Sequence, residues 1–412
     1  MKKKIIIACS VIFLIVILCI SFLVYKNIQE KRIESENKKI VESIKNNYNK
    51  YVVTTKKTYL YDKNNKKIGK IGKSVKIELK DKKINDVNDK YFEIKELDGN
   101  YIYYKDIKPI ESLDEKDNYY KNYLVFNQNV VANKITFYDN NFNLLYQIKG
   151  DFNLPIYVKE NDYYGVEFNN QLLYVKKDEI EVVDSNNTDL KNAKDVPIIL
   201  YHFFHDHNRY ENMTTVISMR IDKFEEQMKY LSDNDFLTLK MKDLEDYIDG
   251  KIQIRENSVV ITIDDANESV FSLAQPVIEK YNINATVFAI TSWNENYIDL
   301  ATDNIEIHSH THNMHITGKC SGGQGGLFKC VDYNTGLEDL KKSSSLLNNT
   351  TYLAYPFGEY TDLSIKLLKD AGYTVALTTN YGKAKVGDNK LLLPRIYMYN
   401  EYSLNTFKNI VN

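Results

Sequence analysis

The chain has 412 residues, enough for two or three domains. It is 43% hydrophobic and 27% charged, which excludes a largely disordered protein. A net charge of −2 excludes any general attraction to nucleic acid.

The first element expected is a membrane anchor over residues 1–26. A basic tip precedes an uncharged apolar run from Ile5 to Tyr25, about the 20 residues a helix needs to cross a bilayer. No small-x-small cleavage site follows, and bulky Leu18 and Ile20 flank Cys19, which argues against lipidation. The reading is an uncleaved transmembrane signal-anchor with its tip in the cytoplasm. It makes the protein a single-pass cell-membrane protein whose remaining chain faces the cell wall; a cleaved signal peptide, the alternative, leaves that compartment unchanged. Residues 27–50 are highly charged and read as a juxtamembrane stalk.

From residue 51 the texture changes to short tyrosine-, isoleucine- and valine-rich runs separated by Asn/Asp/Gly/Lys turns, the pattern of small all-β modules. A weak repeat divides them. "YLYDKNN" at Tyr59 returns as "TFYDNN" at Thr136, and "YIYYKDIKPI" at Tyr101 as "LLYVKKDEIEVV" at Leu172. This places two barrel-like β modules at 51–112 and 120–184, followed by a polar linker at 185–195. They resemble tandem bacterial Src-homology-3-like domains, which implies either binding of wall peptides or a spacer role.

Residues 196–412 alternate strand-like runs with amphipathic helical segments, which argues for an α/β fold with a parallel sheet or barrel. Reactive side chains gather where such a barrel places its active site, at the C-terminal strand ends. "ILYH" ends in His202, "VVITIDD" in Asp264 and Asp265, "IEIHSHTH" in histidines, "LAYPFG" in an aromatic turn and "LLLPR" in Arg395. All seven histidines lie in two clumps, 202–207 and 308–315. One aspartate with two neutral imidazoles and open positions makes a hydrolytic metal site. A second aspartate beside the first can take a proton from bound water, and a cationic histidine can protonate a leaving amine. Cys320 and Cys330 bracket "SGGQGG", and outside the cytoplasm a disulfide is the default for such a pair. Trp293 suits either stacking on a sugar or half-buried packing.

These motifs resemble the polysaccharide deacetylases of carbohydrate esterase family 4, the NodB-homology fold, and most closely the poly-N-acetylglucosamine branch. The resemblance implies a distorted (β/α)7 barrel at 196–412. "TIDDA" is similar to the family's "TFDDG", which implies Asp264 as catalytic base and Asp265 as metal ligand. "SHTHNMH" is similar to the second motif and implies His310 and His315 as the remaining ligands. His308 and His312 satisfy the commoner i, i+4 spacing and stay as the alternative metal pair, because strand alternation puts 308, 310 and 312 on one side. "AYPFGEY" is similar to the third motif and implies Tyr355, Pro356, Phe357 and Gly358 as an acetyl-binding groove, with the Tyr355 N–H available to an oxyanion. The family's arginine before that motif is Ala354 here, and Arg395 can hold Asp264 ionised instead. The late acid histidine is absent, and His202 matches the early histidine of the favoured branch. The resemblance implies a divalent metal, zinc with cobalt, nickel or manganese as alternatives. The expected activity is N-deacetylation of cell-wall peptidoglycan by a monomer, with a secreted poly-N-acetylglucosamine as the alternative substrate and a non-catalytic wall-binding protein as the alternative class.

Overall fold

The computed structural model describes residues 20–36, 38–39, 42, 51–80, 91–113, 119–186, 191–206 and 217–412. The chain divides into two compact units. The first gathers Met1–Asn118, Asn129–Pro155 and Asp162–Val183; the second gathers Tyr119–Gln128, Ile156–Asn161 and Asp184–Asn412.

The anchor expectation is corrected here. Among the described residues no helix is long and apolar enough to cross a membrane. Residues 20–36 are helical, but from Lys26 onward this helix carries Glu30, Lys31, Arg32, Glu34 and Glu36, too many charges for a bilayer core. Lys26–Glu30 and Arg32–Glu36 pair along its exposed surface. Residues 5–19 of the expected span, with Cys9 and Cys19, lie outside the described residues.

From Tyr51 onward the first unit is built of β-strands. Tyr51–Thr54 lies between Lys76–Glu78 and Ile107–Pro109 in a three-stranded antiparallel sheet. The other strands form one larger sheet, in which Lys70 and Ile71 of the first repeat pair with Gln147 and Tyr146 of the second. Within the second repeat Gln128–Tyr138 pairs with both Leu144–Lys159 and Gln171–Lys176, which closes a ring of four strands. The sequence repeat has a physical basis in its turns. Asp62 Oδ1 accepts the N–H groups of Asn64 and Lys66, both at 2.8 Å. Asp139 Oδ1 accepts those of Asn141 and Asn143, at 2.9 and 2.8 Å. Each is an Asx turn that ends in a left-handed residue, Asn65 (φ 61°) and Phe142 (φ 59°).

The second unit is built on seven parallel strands. In chain order these are β1 (Val196–Tyr201), β2 (Ser258–Ile263), β3 (Ala285–Ala289), β4 (Ile305–Ser309), β5 (Tyr352–Ala354), β6 (Val375–Leu377) and β7 (Ile396–Tyr397). Their spatial order is β7-β1-β2-β3-β4-β5-β6, and a parallel bridge from Leu377 to Leu393 brings the β6 edge towards the chain entering β7. This is a distorted (β/α) barrel. Strands covered on both faces read as continuous apolar runs, and every residue of β1, β2 and β3 is buried. Ile199, Ile261, Ile263, Val287 and Ile307 face a core shared with helices α1 (Ile221–Asp233), α3 (Gln275–Lys280) and α6 (Leu404–Val411). Short α2 (Met241–Ile248) lies between β1 and β2 in the chain. A second core packs Leu353 of β5 and Ala376 of β6 under α4 (Tyr333–Leu346) and α5 (Asp362–Asp370).

Residues 119–128 and 156–161 also belong to this unit. Leu124 bridges to Gln253 and Val158 to Ile252. The Tyr119 and Tyr123 hydroxyls donate to the buried Asp243 carboxylate of α2 at 2.8 and 2.6 Å.

Candidate active site

The polar residues collect at one end of the barrel because each follows the last residue of a strand. His202 follows β1, Asp264 and Asp265 follow β2, His310 follows β4, and Tyr355 follows β5. Arg395 immediately precedes β7.

Two acidic neighbours have opposite environments. Both oxygens of Asp264 are held by Arg395, Nη1 to Oδ1 at 2.7 Å and Nη2 to Oδ2 at 2.8 Å. The arginine is itself buried, with Nε donating to Thr378 O at 2.8 Å and Nη1 to Thr262 Oγ1 at 3.4 Å. Burial alone would raise the Asp264 carboxyl; the guanidinium charge outweighs it and holds the group at about 2. Asp265 has no such partner. Burial, followed by the charge of Asp264, pushes its carboxyl up to about 7. Its Oδ1 is buried with no hydrogen-bond partner.

Two imidazoles face that orphaned oxygen. Nε2 of His310 and of His315 each lie 3.5 Å from Asp265 Oδ1. Ligands of a tetrahedral ion with bonds of about 2.0–2.1 Å stand about 3.3 Å apart, so the spacing fits a divalent cation such as zinc. His310 Nδ1 lies 2.8 Å from the carbonyl oxygen of Ala354; a carbonyl only accepts, so the proton sits on Nδ1 and the Nε2 lone pair is free for a ligand role. Burial keeps His310 neutral, at about 4, and burial with the neighbouring His310 keeps His315 at about 3. Asp265, His310 and His315 form the possible metal-binding group among the described residues.

The alternative pair is not brought to this point. Strand β4 ends at Ser309 and Thr311 turns to φ 70°, so the alternation that left three histidines equivalent stops after one of them. His308 stays under the site, Nδ1 2.7 Å from Thr350 Oγ1 and Nε2 3.4 Å from Glu306. His312 Nδ1 lies 2.9 Å from Thr291 Oγ1.

His202 is buried and stacked flat on Tyr397, ring centroids 5.5 Å apart and planes 2° from parallel. Its Nδ1 has no partner. Burial lowers it to about 4, against the opposing pull of Asp264. That direction favours the neutral ring over the cationic histidine expected from the sequence. His205 is buried with Nδ1 2.7 Å from Ser218 Oγ, and His207 lies outside the described residues.

The turn Pro356–Gly358 puts Phe357 at φ 60°, with its ring centroid 4.1 Å from that of His315. Tyr355 is buried and its hydroxyl donates to Leu391 O at 3.1 Å. Its backbone N–H donates to Leu377 O at 3.0 Å, which removes it from the oxyanion role expected of it: the strand pairing of β5 with β6 extends one residue further.

A loop closed by the Cys320–Cys330 disulfide covers this turn. Glu359 accepts the Gln324 and Gly326 N–H groups at 2.6 and 2.9 Å, and Lys329 Nζ lies 3.3 Å away. Sequence reading missed Glu359, Thr378 and Tyr397. Only Tyr397 had a signal, its two-residue spacing from Arg395 on a short strand.

Left-handed backbone recurs around the centre at Asp265 (φ 70°), Ala266 (φ 51°), Thr311 and Phe357. Ala266 stands where the similar motif has glycine. Ala266→Gly is expected to stabilise the protein by up to about 1 kcal/mol, since the left-handed cost of roughly 1–2 kcal/mol exceeds glycine's entropic one. Calorimetry would show a rise in Tm; a fall would mean that the buried methyl contributes more than the strain.

The family model described as Polysaccharide deacetylase matches residues 251–376. A poly-beta-1,6-N-acetyl-D-glucosamine N-deacetylase of Staphylococcus aureus is 29% identical over 198 residues, 43% of this chain and 67% of the relative. The same enzyme of Staphylococcus epidermidis is 29% identical over 203 residues, 45% of this chain and 69% of the relative. Among solved structures, the Streptococcus pyogenes deacetylase PplD in complex with acetate is 22% identical, covers 54% of this chain and 100% of its own, and has a TM-score of 0.47. IcaB from Ammonifex degensii is 20% identical, covers 53% and 98%, and has a TM-score of 0.46.

Proposed function

We propose that this chain, whose C-terminal half carries a polysaccharide deacetylase domain and is by that an amide hydrolase, removes acetyl groups from N-acetylglucosamine residues of a poly-β-1,6-linked glycan in a metal-dependent reaction. The observation that carries the reading is the orphaned Asp265 oxygen facing two neutral imidazoles, beside a second aspartate pinned in its ionised form.

Asp265, His310 and His315 would hold the ion, zinc with cobalt, nickel or manganese as alternatives. When bound, such an ion supplies Lewis acidity and lowers the pKa of water towards neutrality. Asp264 acts as the base: it takes a proton from the attacking water, and Arg395 keeps it anionic and fixed in orientation. His202, neutral at rest, relays that proton to the departing nitrogen. The C–N bond breaks as the nitrogen is protonated. One water proton ends on the sugar amine, and the other leaves as acetic acid ionises to acetate. The Tyr355–Gly358 turn, with Phe357 against His315, borders the space for the acetyl methyl. The duplicated aspartate turns support a repeat of β modules in residues 51–112 and 120–184, which we read as Src-homology-3-like.

The sequence argument for peptidoglycan leaned on the membrane anchor. Among the described residues no helix is long enough to be that anchor; the names of the relatives favour the β-1,6 polymer, and peptidoglycan becomes the second arm of the test. Acetate release by the full chain would be measured on both polymers with added zinc or cobalt, alongside Asp265→Ala and His202→Ala. Release from the β-1,6 glycan, lost in both variants, is the expected result. Release from peptidoglycan alone would transfer the function to the wall; release from neither, with metal bound, would end the deacetylase proposal.

A further inference from the structure

We infer that Tyr397 is the positioning residue for His202: its ring fixes the plane of the imidazole that passes the proton to the departing nitrogen. The inference rests on the deacetylase reading for what that proton does. Nδ1 of His205, His308, His310 and His312 lies 2.7, 2.7, 2.8 and 2.9 Å from an oxygen of Ser218, Thr350, Ala354 and Thr291, respectively. His202 departs from this pattern. Its ring is buried and its Nδ1 meets no partner. It lies flat on Tyr397, with 5.5 Å between centroids and 2° between planes, whereas Phe203 is tilted 52° from it at 6.1 Å. Offset stacking gives a ring a preferred plane, and it engages neither nitrogen. That suits a group that first gains a proton and then gives it up.

Tyr397 is itself fixed. It stacks on Tyr399 at 5.5 Å and 14°, and Tyr399 meets Tyr402 edge-on at 5.3 Å. The backbone that carries these rings is tied down. The Met398 N–H donates to Leu200 O, the Tyr402 N–H to Tyr399 O, and the Arg220 N–H to Asn400 Oδ1, all at 3.0 Å. Leu200 of β1 and Tyr397 of β7 are register partners, which sets the tyrosine beside the strand end that carries His202. The Asp264 N–H donates to Tyr201 O at 3.0 Å, so β1 and β2 stay paired up to the residues that serve as acid and base. Arg395 and Tyr397 stand two residues apart, the spacing that places side chains on one face of an extended chain. The arginine holds the base by charge and the tyrosine holds the acid by stacking, so one short segment orients both proton-transfer groups.

A proton donor matters most when the leaving group is poor. An amine departs only when protonated, whereas 4-nitrophenolate departs without a proton. The zinc-loaded full chain would be assayed on a β-1,6-linked N-acetylglucosamine oligomer and on 4-nitrophenyl acetate, as wild type, Tyr397→Ala and Tyr397→Phe. Tyr397→Ala is expected to lower kcat on the glycan by about tenfold to a hundredfold, while KM and the rate on the ester change by less than about twofold. Tyr397→Phe keeps the stacking ring and is expected to restore most of the loss. A second readout needs no turnover. In the metal-free full chain labelled at histidine, the His202 ring signal in the NMR spectrum is identified by its absence from His202→Ala. It is expected to move in Tyr397→Ala and to return in Tyr397→Phe. Equal losses on amide and ester would make Tyr397 a support for the barrel end and overturn the inference, as would no rescue by phenylalanine or an unmoved ring signal. A ring signal that behaves as expected, in a protein that releases no acetate from the glycan, would keep Tyr397 as what holds His202 and remove the deacetylase reading. Acetate release unaffected by Tyr397→Ala would do the reverse.

Discussion

Asp265→Ala is expected to weaken zinc binding more than about a hundredfold, because even residues that only orient metal ligands account for 10–100-fold. The effect should carry a pH signature in the unaltered protein. Burial leaves His310 and His315 neutral at about 4 and about 3, whereas the Asp265 carboxyl titrates at about 7. Near neutrality one proton, that of Asp265, must therefore leave for the ion to bind. Zinc affinity should be flat above pH 7 and fall about tenfold per unit below it, over the range in which the imidazoles stay neutral. The same sign governs stability. A carboxyl whose folded value lies above its unfolded one favours the protonated fold, so this group's contribution to the metal-free protein declines as pH rises from about 4 to about 7. Chelator competition at several pH values would test the first statement; an affinity independent of pH between 5.5 and 7 would mean that Asp265 is already ionised without metal.

Arg395→Met should have the largest effect on stability. It leaves the Asp264 carboxylate buried without its partner, a loss of about 3–5 kcal/mol, or roughly 10 °C in Tm for a unit of this size. The Asp264 carboxyl should rise from about 2, and acetate release should fall with it. Arg395→Lys keeps the charge but loses the two-pronged geometry, so it should recover part of the stability and little activity. The double variant Asp264→Asn/Arg395→Met separates the roles: it should regain most of the lost Tm and none of the activity. A single Arg395→Met protein with unchanged Tm would show that the pair does not hold this end of the barrel together.

Much of the barrel was legible because its signals are local. Buried, largely apolar strands ending in reactive residues mark both the sheet and the end of it that matters, and Asp264, Asp265 and His202 each follow such a run. The choice among His308, His310 and His312 was not legible from periodicity alone. It depends on where β4 stops, and Thr311 in a left-handed conformation carries no reliable sequence mark. The fate of the Tyr355 N–H was hidden for a similar reason, since one further residue of strand pairing consumes it. The assignment of residues 119–128 and 156–161 to the catalytic unit rests on bridges to Ile252 and Gln253 and on tyrosines reaching Asp243. Those partners lie about a hundred residues away, beyond any local pattern. Of the expected anchor only residues 20–25 are described, and there the helix runs on into the charged segment 26–36 that the sequence marks as a stalk.

The disulfide-closed loop touches the metal-binding group through a short relay. A Cβ on Gly323 would stand 1.7 Å from a Glu359 oxygen, and one on Gly326 would stand 2.8 Å from the Phe357 ring that lies against His315. Gly318 and Gly322 have no such neighbour, but their left-handed backbone (φ 68° and 78°) disfavours a side chain by itself. Mutational drift is therefore restrained in two ways along one small loop. At 318 and 322 each position carries its own backbone cost, whereas positions 323, 326, 357 and 359 form a linked set in which a change at one is heritable only with an accommodating change at another.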